Sequence, residues 1–172
     1  MPHDTTLEER TVATKEEITA GIREVEERLN RLLPGIVENL DQPLPEGSWT
    51  VHDALCHMAA DAHSLPRWQR QIDAATNGTS ARPPGFNLDA HNQQGIDARK
   101  GKPVDEVVQE IRDGLHGDAA ALPGLDDALL AREVPNFRGE LQSASDRLSF
   151  TTSRHNHMHL DDIENAIKMA TA

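Results

Sequence analysis

The chain has 172 residues, with 29 Asp and Glu against 17 Lys and Arg, nine His, one Cys, no Tyr, three Phe and two Trp. A net charge of −12 without any basic block repels a phosphate backbone, so nucleic acid is excluded as an expected partner. No apolar run approaches the ~20 residues of a membrane span, and Cys56 alone cannot form an internal disulfide.

Residues Met1 to Glu9 lack the basic stretch and apolar core of a secretory peptide, which predicts a cytoplasmic location. The length suits one domain over 1–172, with 1–11 expected to be flexible. Thr14 to Glu17 has the pattern of a capping box. It opens a segment with Ile18, Ile22, Val25, Leu29 and Leu32 at helical spacing, expected to end near Leu33 before Pro34-Gly35. Pro43, Pro45 and Gly47 mark a loop, after which Thr50 and Asp53 cap a second helix. Val51, Leu55, Met58, Ala62 and Leu65 run along that helix. Pro66 should kink it before it continues through Trp68 and Ile72 toward Asn77-Gly78.

A Ser/Pro/Gly loop follows, and Asn87 caps a short helix that reaches about Lys100. Pro103 fits a first helical position, from which Val104, Val107, Val108, Ile111 and Leu115 mark a third long helix closed by Pro123-Gly124. Between Asp126 and Gln142, Leu129-Leu130 suggests a short helix and Val134 to Phe137 an extended crossover. Ser143 and Asp146 cap a last helix that carries Leu148, Thr152, His155, His159, Ile163 and Ala166 on one face. No strand of period two stands out. Four long amphipathic segments joined by one long crossover predict an all-α four-helix bundle with short additional helices.

Most of the nine histidines read as solvated, including His91 and His116 on polar stretches. The run Arg154 to Asp162 differs, because it holds His155, His157 and His159. At ~100° per residue, His155 and His159 fall within about 40° of each other, whereas His157 is turned roughly 160° away and joins Phe150 on the far face. The 155/159 pair stands in the stripe the helix should bury, with the i, i+4 geometry in which one metal ion binds both rings. A buried pair without a metal would instead need other hydrogen-bond partners for each ring. A third ligand should come from helix two, where His52, His57 and His63 are the candidates. His57 lies on the flank of the apolar face, and Asp61 one turn later is either its supporting carboxylate or half of an exposed i, i+4 pair.

The segment Gly47-Ser48-Trp49-Thr50-Val51-His52-Asp53-Ala54-Leu55-Cys56-His57 resembles the second-helix signature of the DinB-like superfamily, which includes the N-terminal domain of mycothiol-dependent maleylpyruvate isomerases. In that family the His eight positions after the Trp is a metal ligand, which implies His57. The fourth-helix motif of His or Glu, three residues, then His, followed by an acidic residue and Ile, matches His155, His159 and Asp162-Ile163. The segments Phe86 to Asn92 and Arg99 to Val104 are also similar to the branch related to the isomerase.

The resemblance implies a three-His divalent metal site at one end of the bundle core, open for a further ligand. Zinc is the default, with nickel or iron suited to the same donors. It further implies an enzyme that activates a low-molecular-weight thiol, of the mycothiol or bacillithiol type, for transfer to or isomerisation of an electrophilic small molecule. Asp162 beside His159 is a candidate supporting carboxylate, and Asn92, Trp49 and Arg154 are candidates for lining the pocket. Cys56 reads as a small buried residue rather than a nucleophile. No counterpart of the isomerases' C-terminal domain follows helix four, so maleylpyruvate isomerisation itself is not the expected reaction. Two alternatives stand beside the thiol enzyme: a small hydrolase using a metal-bound hydroxide, and a non-catalytic stress or interaction module. The expected partner is a small molecule, and since many members of the superfamily are dimers, a homodimer is left open.

Overall fold

Thr14 and Glu17 close a reciprocal capping box that opens α1 (Lys15–Glu38), the first helix of a computed structural model that describes residues 12–136 and 138–171. The segment 1–11, expected to be flexible, and Phe137 in the expected crossover lie outside the described residues. Contrary to the expected stop near Leu33, α1 runs through Pro34. An interior proline costs ~3 kcal/mol, but Ile36 beyond it is fully buried, an interaction of about 1.5–3 kcal/mol. The Asn39 side chain then donates to the Gly35 carbonyl at 2.8 Å and finishes the helix.

Helix two is broken rather than kinked. α2 (Val51–Asp61) begins at a second capping box between Thr50 and Asp53, and α3 (Ser64–Thr76) starts afresh after Ala62-His63. Pro66 therefore sits in the first turn of a new helix, where a missing N–H removes no intrahelical bond. α4 (Leu88–Asp97) is capped by Asn87, whose side chain accepts from the Ala90 N–H at 2.9 Å. α5 (Val104–Ala121) follows and ends in a 3-10 turn at Leu122–Gly124.

The long crossover contains α6 (Asp127–Leu130) and then an antiparallel hairpin that periodicity did not foretell. Its strands, β1 (Glu133–Pro135) and β2 (Leu141–Ser143), have three residues each, too few for alternation to register. Ser143 caps α7 (Ala144–Ser149), which passes through a π turn at Phe150–Arg154 into α8 (His155–Ala170).

α1 packs on α5 and α8, and α2 packs on the same two helices, giving the four-helix bundle expected. α4 covers α2, and α3 leans on α5, β1 and α7. Ile18, Val25 and Leu29 from α1, Leu55 from α2, Ile111 from α5 and Leu160 and Ile163 from α8 fill the core. Among the described residues, no helix is long and apolar enough to cross a membrane.

Candidate metal centre

His57 projects from the middle of α2, and His155 and His159 from the first two turns of α8, where these helices pack together. One ring nitrogen from each lies within 4.8 Å of the other two, and among the described residues this is the group of ligand-type side chains placed to share an ion. The Nε2 atoms of His155 and His159 stand 3.2 Å apart. His57 and His159 meet edge to face with ring centroids 4.7 Å apart, and His57 and His155 do so at 5.7 Å.

Burial sets the charge state. Desolvation holds all three imidazoles below the usual histidine range, and mutual repulsion with His155 and His57 helps push His159 down to about 3. Three rings therefore present neutral nitrogens, the form that donates a lone pair to a metal. For the α8 pair the spacing fits as well: donors ~2.0–2.1 Å from one tetrahedral zinc stand roughly 3.3 Å from each other, close to the 3.2 Å between His155 and His159.

Trp49, in the loop before α2, packs against two of these rings, 4.9 Å from His57 and 6.1 Å from His159 between centroids. Asp61 is neither an exposed partner nor a hydrogen-bonded support of His57. Its carboxylate is hydrogen-bonded to Arg67 and lies 3.9 Å from His57 Nε2, beyond hydrogen-bond distance. Arg67 overcomes the desolvation of Asp61 and, with His57, holds it below the usual carboxylate range.

The other candidates scatter. His52 faces Cys56, with 3.8 Å between Nε2 and Sγ, and His63 is exposed at the helix break. Cys56 is fully buried, and desolvation pushes its thiol up to about 11, so it stays protonated. Asp162 makes no hydrogen bond to the three rings among the described residues, and burial followed by repulsion from Glu46 and Asp161 raises its carboxyl. Arg154 is exposed, donates to the Asp146 carbonyl at 3.3 Å and lies over the Phe150 ring. His157 faces α1, where Arg28 donates to its carbonyl at 3.3 Å.

Beside the histidines opens a cavity of about 310 Å³, whose wall includes His57, His155 and the expected Asn92. Phe150 also lines it, 6.0 Å from the His155 ring, and so does not share the far face with His157. The π turn between them is the reason, since the residue it adds rotates everything upstream by about 100° relative to an unbroken α-helix. Three cavity residues that sequence reasoning passed over are Arg67, Arg70 and Arg82. His91, read as solvated, is exposed but lines the same cavity beside Phe86, with centroids 5.4 Å apart. Its place in the segment Phe86 to Asn92 was the available signal.

No family model matches the chain, and no curated protein matches its sequence. Solved structures do. YfiT from Bacillus subtilis, described as a probable metal-dependent hydrolase with an unusual four-helix bundle topology, superposes with a TM-score of 0.71 at 19% identity, covering 99% of this chain and 93% of that one. The colibactin self-resistance protein ClbS, solved with double-stranded DNA, gives 0.65 at 14% identity over 88% and 94% of the two chains. A variant of the mycothiol-dependent maleylpyruvate isomerase gives 0.63 at 16% identity over 88% of this chain and 61% of that one. At these identities the likeness is one of fold, and the fold implied by the DinB-like resemblance is the fold found.

Proposed function

We propose that the chain is a DinB-like metalloprotein in which His57, His155 and His159 hold one divalent ion, zinc first and nickel or iron next. We read it as an enzyme that brings a low-molecular-weight thiol to an electrophilic small molecule. The observation that carries the reading is the convergence of three neutral imidazoles within 4.8 Å beside an open cavity. Three neutral protein donors leave a divalent ion its full charge, and such an ion supplies Lewis acidity that lowers the pKa of a coordinated thiol or water by several units.

The chain's own residues do the rest. Trp49 packs at a tilt against the rings of His57 and His159 and helps to hold them in place. Asp61, fixed by Arg67, places one negative charge near His57 and partly balances a cation held there. Phe86 and Phe150 give the cavity apolar walls against which a substrate body can rest. The buried thiol of Cys56, the chain's one cysteine, takes no part, so a thiol nucleophile has to come from outside the chain.

A second reading, metal-dependent hydrolysis, draws on the likeness to YfiT. A third, a non-catalytic stress or interaction module, needs no metal at all. Metal content per chain, measured on protein purified without a metal-affinity tag, separates the metal readings from the third. About one zinc, nickel or iron per chain, lost in the His155→Ala/His159→Ala variant and kept in His157→Ala, is the expected outcome. No metal in the parent protein after supplementation with all three ions overturns the proposal and favours the interaction module. If metal binds, rates with an electrophile in the presence and absence of added thiol separate transfer from hydrolysis.

A further inference from the structure

The cavity beside the three histidines carries a charge opposite to that of the molecule. Arg67, Arg70 and Arg82 line it, against a single acidic residue, Asp61. The whole chain has 29 acidic and 17 basic residues, so a wall with three cations to one anion is a local reversal. Arg67 is spent on Asp61. Among the described residues, neither Arg70 nor Arg82 forms an ion pair with a carboxylate.

Arg82 is held in place by the Phe86 ring, over which its guanidinium carbon lies 4.8 Å from the centroid. Close by, Arg147 donates to the Pro135 carbonyl at 2.6 Å and to Gln71 Oε1 at 3.0 Å, and Gln71 itself lines the cavity. Burial and then the like charge of Arg82 hold the Arg147 guanidinium below its usual range. Positive charges gathered around one concavity repel each other unless an anion joins them.

Resting on the site proposed above, we propose that this cavity selects a small substrate with an oxyanion head group, carboxylate or phosphate, on an apolar body, and that Arg70 and Arg82 determine that specificity. Guanidinium groups suit planar or tetrahedral oxyanions by charge-assisted hydrogen bonds. Phe86, Phe150 and Pro83 supply the apolar complement, and about 310 Å³ is at the small end of ligand pockets. A cavity of this size, in a chain of charge −12, fits a small anion better than the long phosphate array of a duplex.

The test is an NMR titration of the full chain with benzoate, phenyl phosphate and the neutral isostere benzamide, run with zinc and after chelator treatment. At least one anion should shift the Phe86 and Thr151 amides and bind about tenfold more tightly than benzamide, since charge-assisted bonds are the stronger ones. The tighter of the two anions identifies the head group. The Arg70→Gln/Arg82→Gln variant should lose that preference while taking up as much metal as the parent protein. Equal affinity for anion and isostere, no shift with any probe, or a preference unchanged in the variant overturns the proposal. A short DNA duplex that displaces the anion at physiological salt overturns it in favour of a nucleic-acid phosphate. An arginine-dependent preference in a chain that takes up no metal would sink the metal reading alone, whereas metal uptake without the preference would sink this one alone.

Discussion

Asp118 of α5 caps α3 through Ser64: one carboxylate oxygen accepts from the Ser64 N–H at 3.0 Å and its hydroxyl at 2.5 Å, while the other accepts from the Leu65 N–H at 3.0 Å. At 3% exposure, Asp118 is the buried anchor that sets where α3, and with it Arg67 and Arg70, leaves the bundle. Asp118→Ala orphans two backbone N–H groups and should destabilise the fold by about 2–3 kcal/mol, the scale of hydrogen bonds to a charged group. Urea unfolding followed by circular dichroism measures it. A loss below ~0.5 kcal/mol, the size of a neutral surface change, would mean that water caps α3 equally well.

Gly114 of α5 lets the backbone of Ala62 approach at the α2–α3 break. A Cβ there would stand 2.6 Å from the Ala62 carbonyl carbon and 2.7 Å from its oxygen. Gly114→Ala gains up to ~1 kcal/mol in helix propensity. Overpacking against rigid backbone costs ~1–3 kcal/mol, so the substitution should be net destabilising. Thermal melts of the variant beside Gly117→Ala, in the same helix, where the added methyl meets only ordinary van der Waals contact with His63, isolate the packing effect.

The local rules that could be read from the chain are those that depend on short range. Thr14, Thr50, Asn87 and Ser143 each cap the helix they were expected to open, because a cap involves residues within one turn. His155 and His159 paired correctly because both lie after the π turn, within unbroken α-helix. Phase was lost across that turn, which misplaced Phe150. Gly21, whose added Cβ would stand 2.7 Å from Ser153 Oγ, shows α1 pressed closely against the same turn, a contact no local pattern reveals. Periodicity left His57 as one of three candidates, and only the motif resemblance singled it out. The arginines were illegible because Asp118 and the segment between α3 and α4, not any repeat in the sequence, bring Arg67, Arg70 and Arg82 to one cavity.

Asp53 should make stability depend on pH in the acid range. Burial raises its carboxyl, but the Thr50 backbone N–H, the Thr50 hydroxyl and the Lys100 ammonium outweigh burial, and the net position is below the usual carboxylate range. A depressed folded pKa means a contribution fully present above the unfolded value of ~3.9 and lost as pH falls through the lower folded value. Asp53→Asn should therefore cost about 1 kcal/mol at neutral pH, as cap changes do, and the gap to the parent should narrow below pH ~4. Urea midpoints at neutral pH and across the acid range test this. A gap that stayed constant with pH would mean the charge contributes nothing.

Trp49 gives the metal proposal an optical readout that needs no activity. Its ring stands 4.9 Å from His57, whereas Trp68, 1% exposed, donates its indole N–H to the Ala144 carbonyl within the core. Nickel taken up by the three imidazoles should quench Trp49 strongly, because a paramagnetic ion beside the ring opens a fast route for energy loss. Trp49→Phe should abolish most of the quenching without changing nickel stoichiometry, and His159→Ala should abolish both. The metal-free spectrum of each variant supplies its own baseline. Quenching that persists in Trp49→Phe, or that is as strong in His159→Ala as in the parent, would place the nickel elsewhere and remove the three histidines as its ligands.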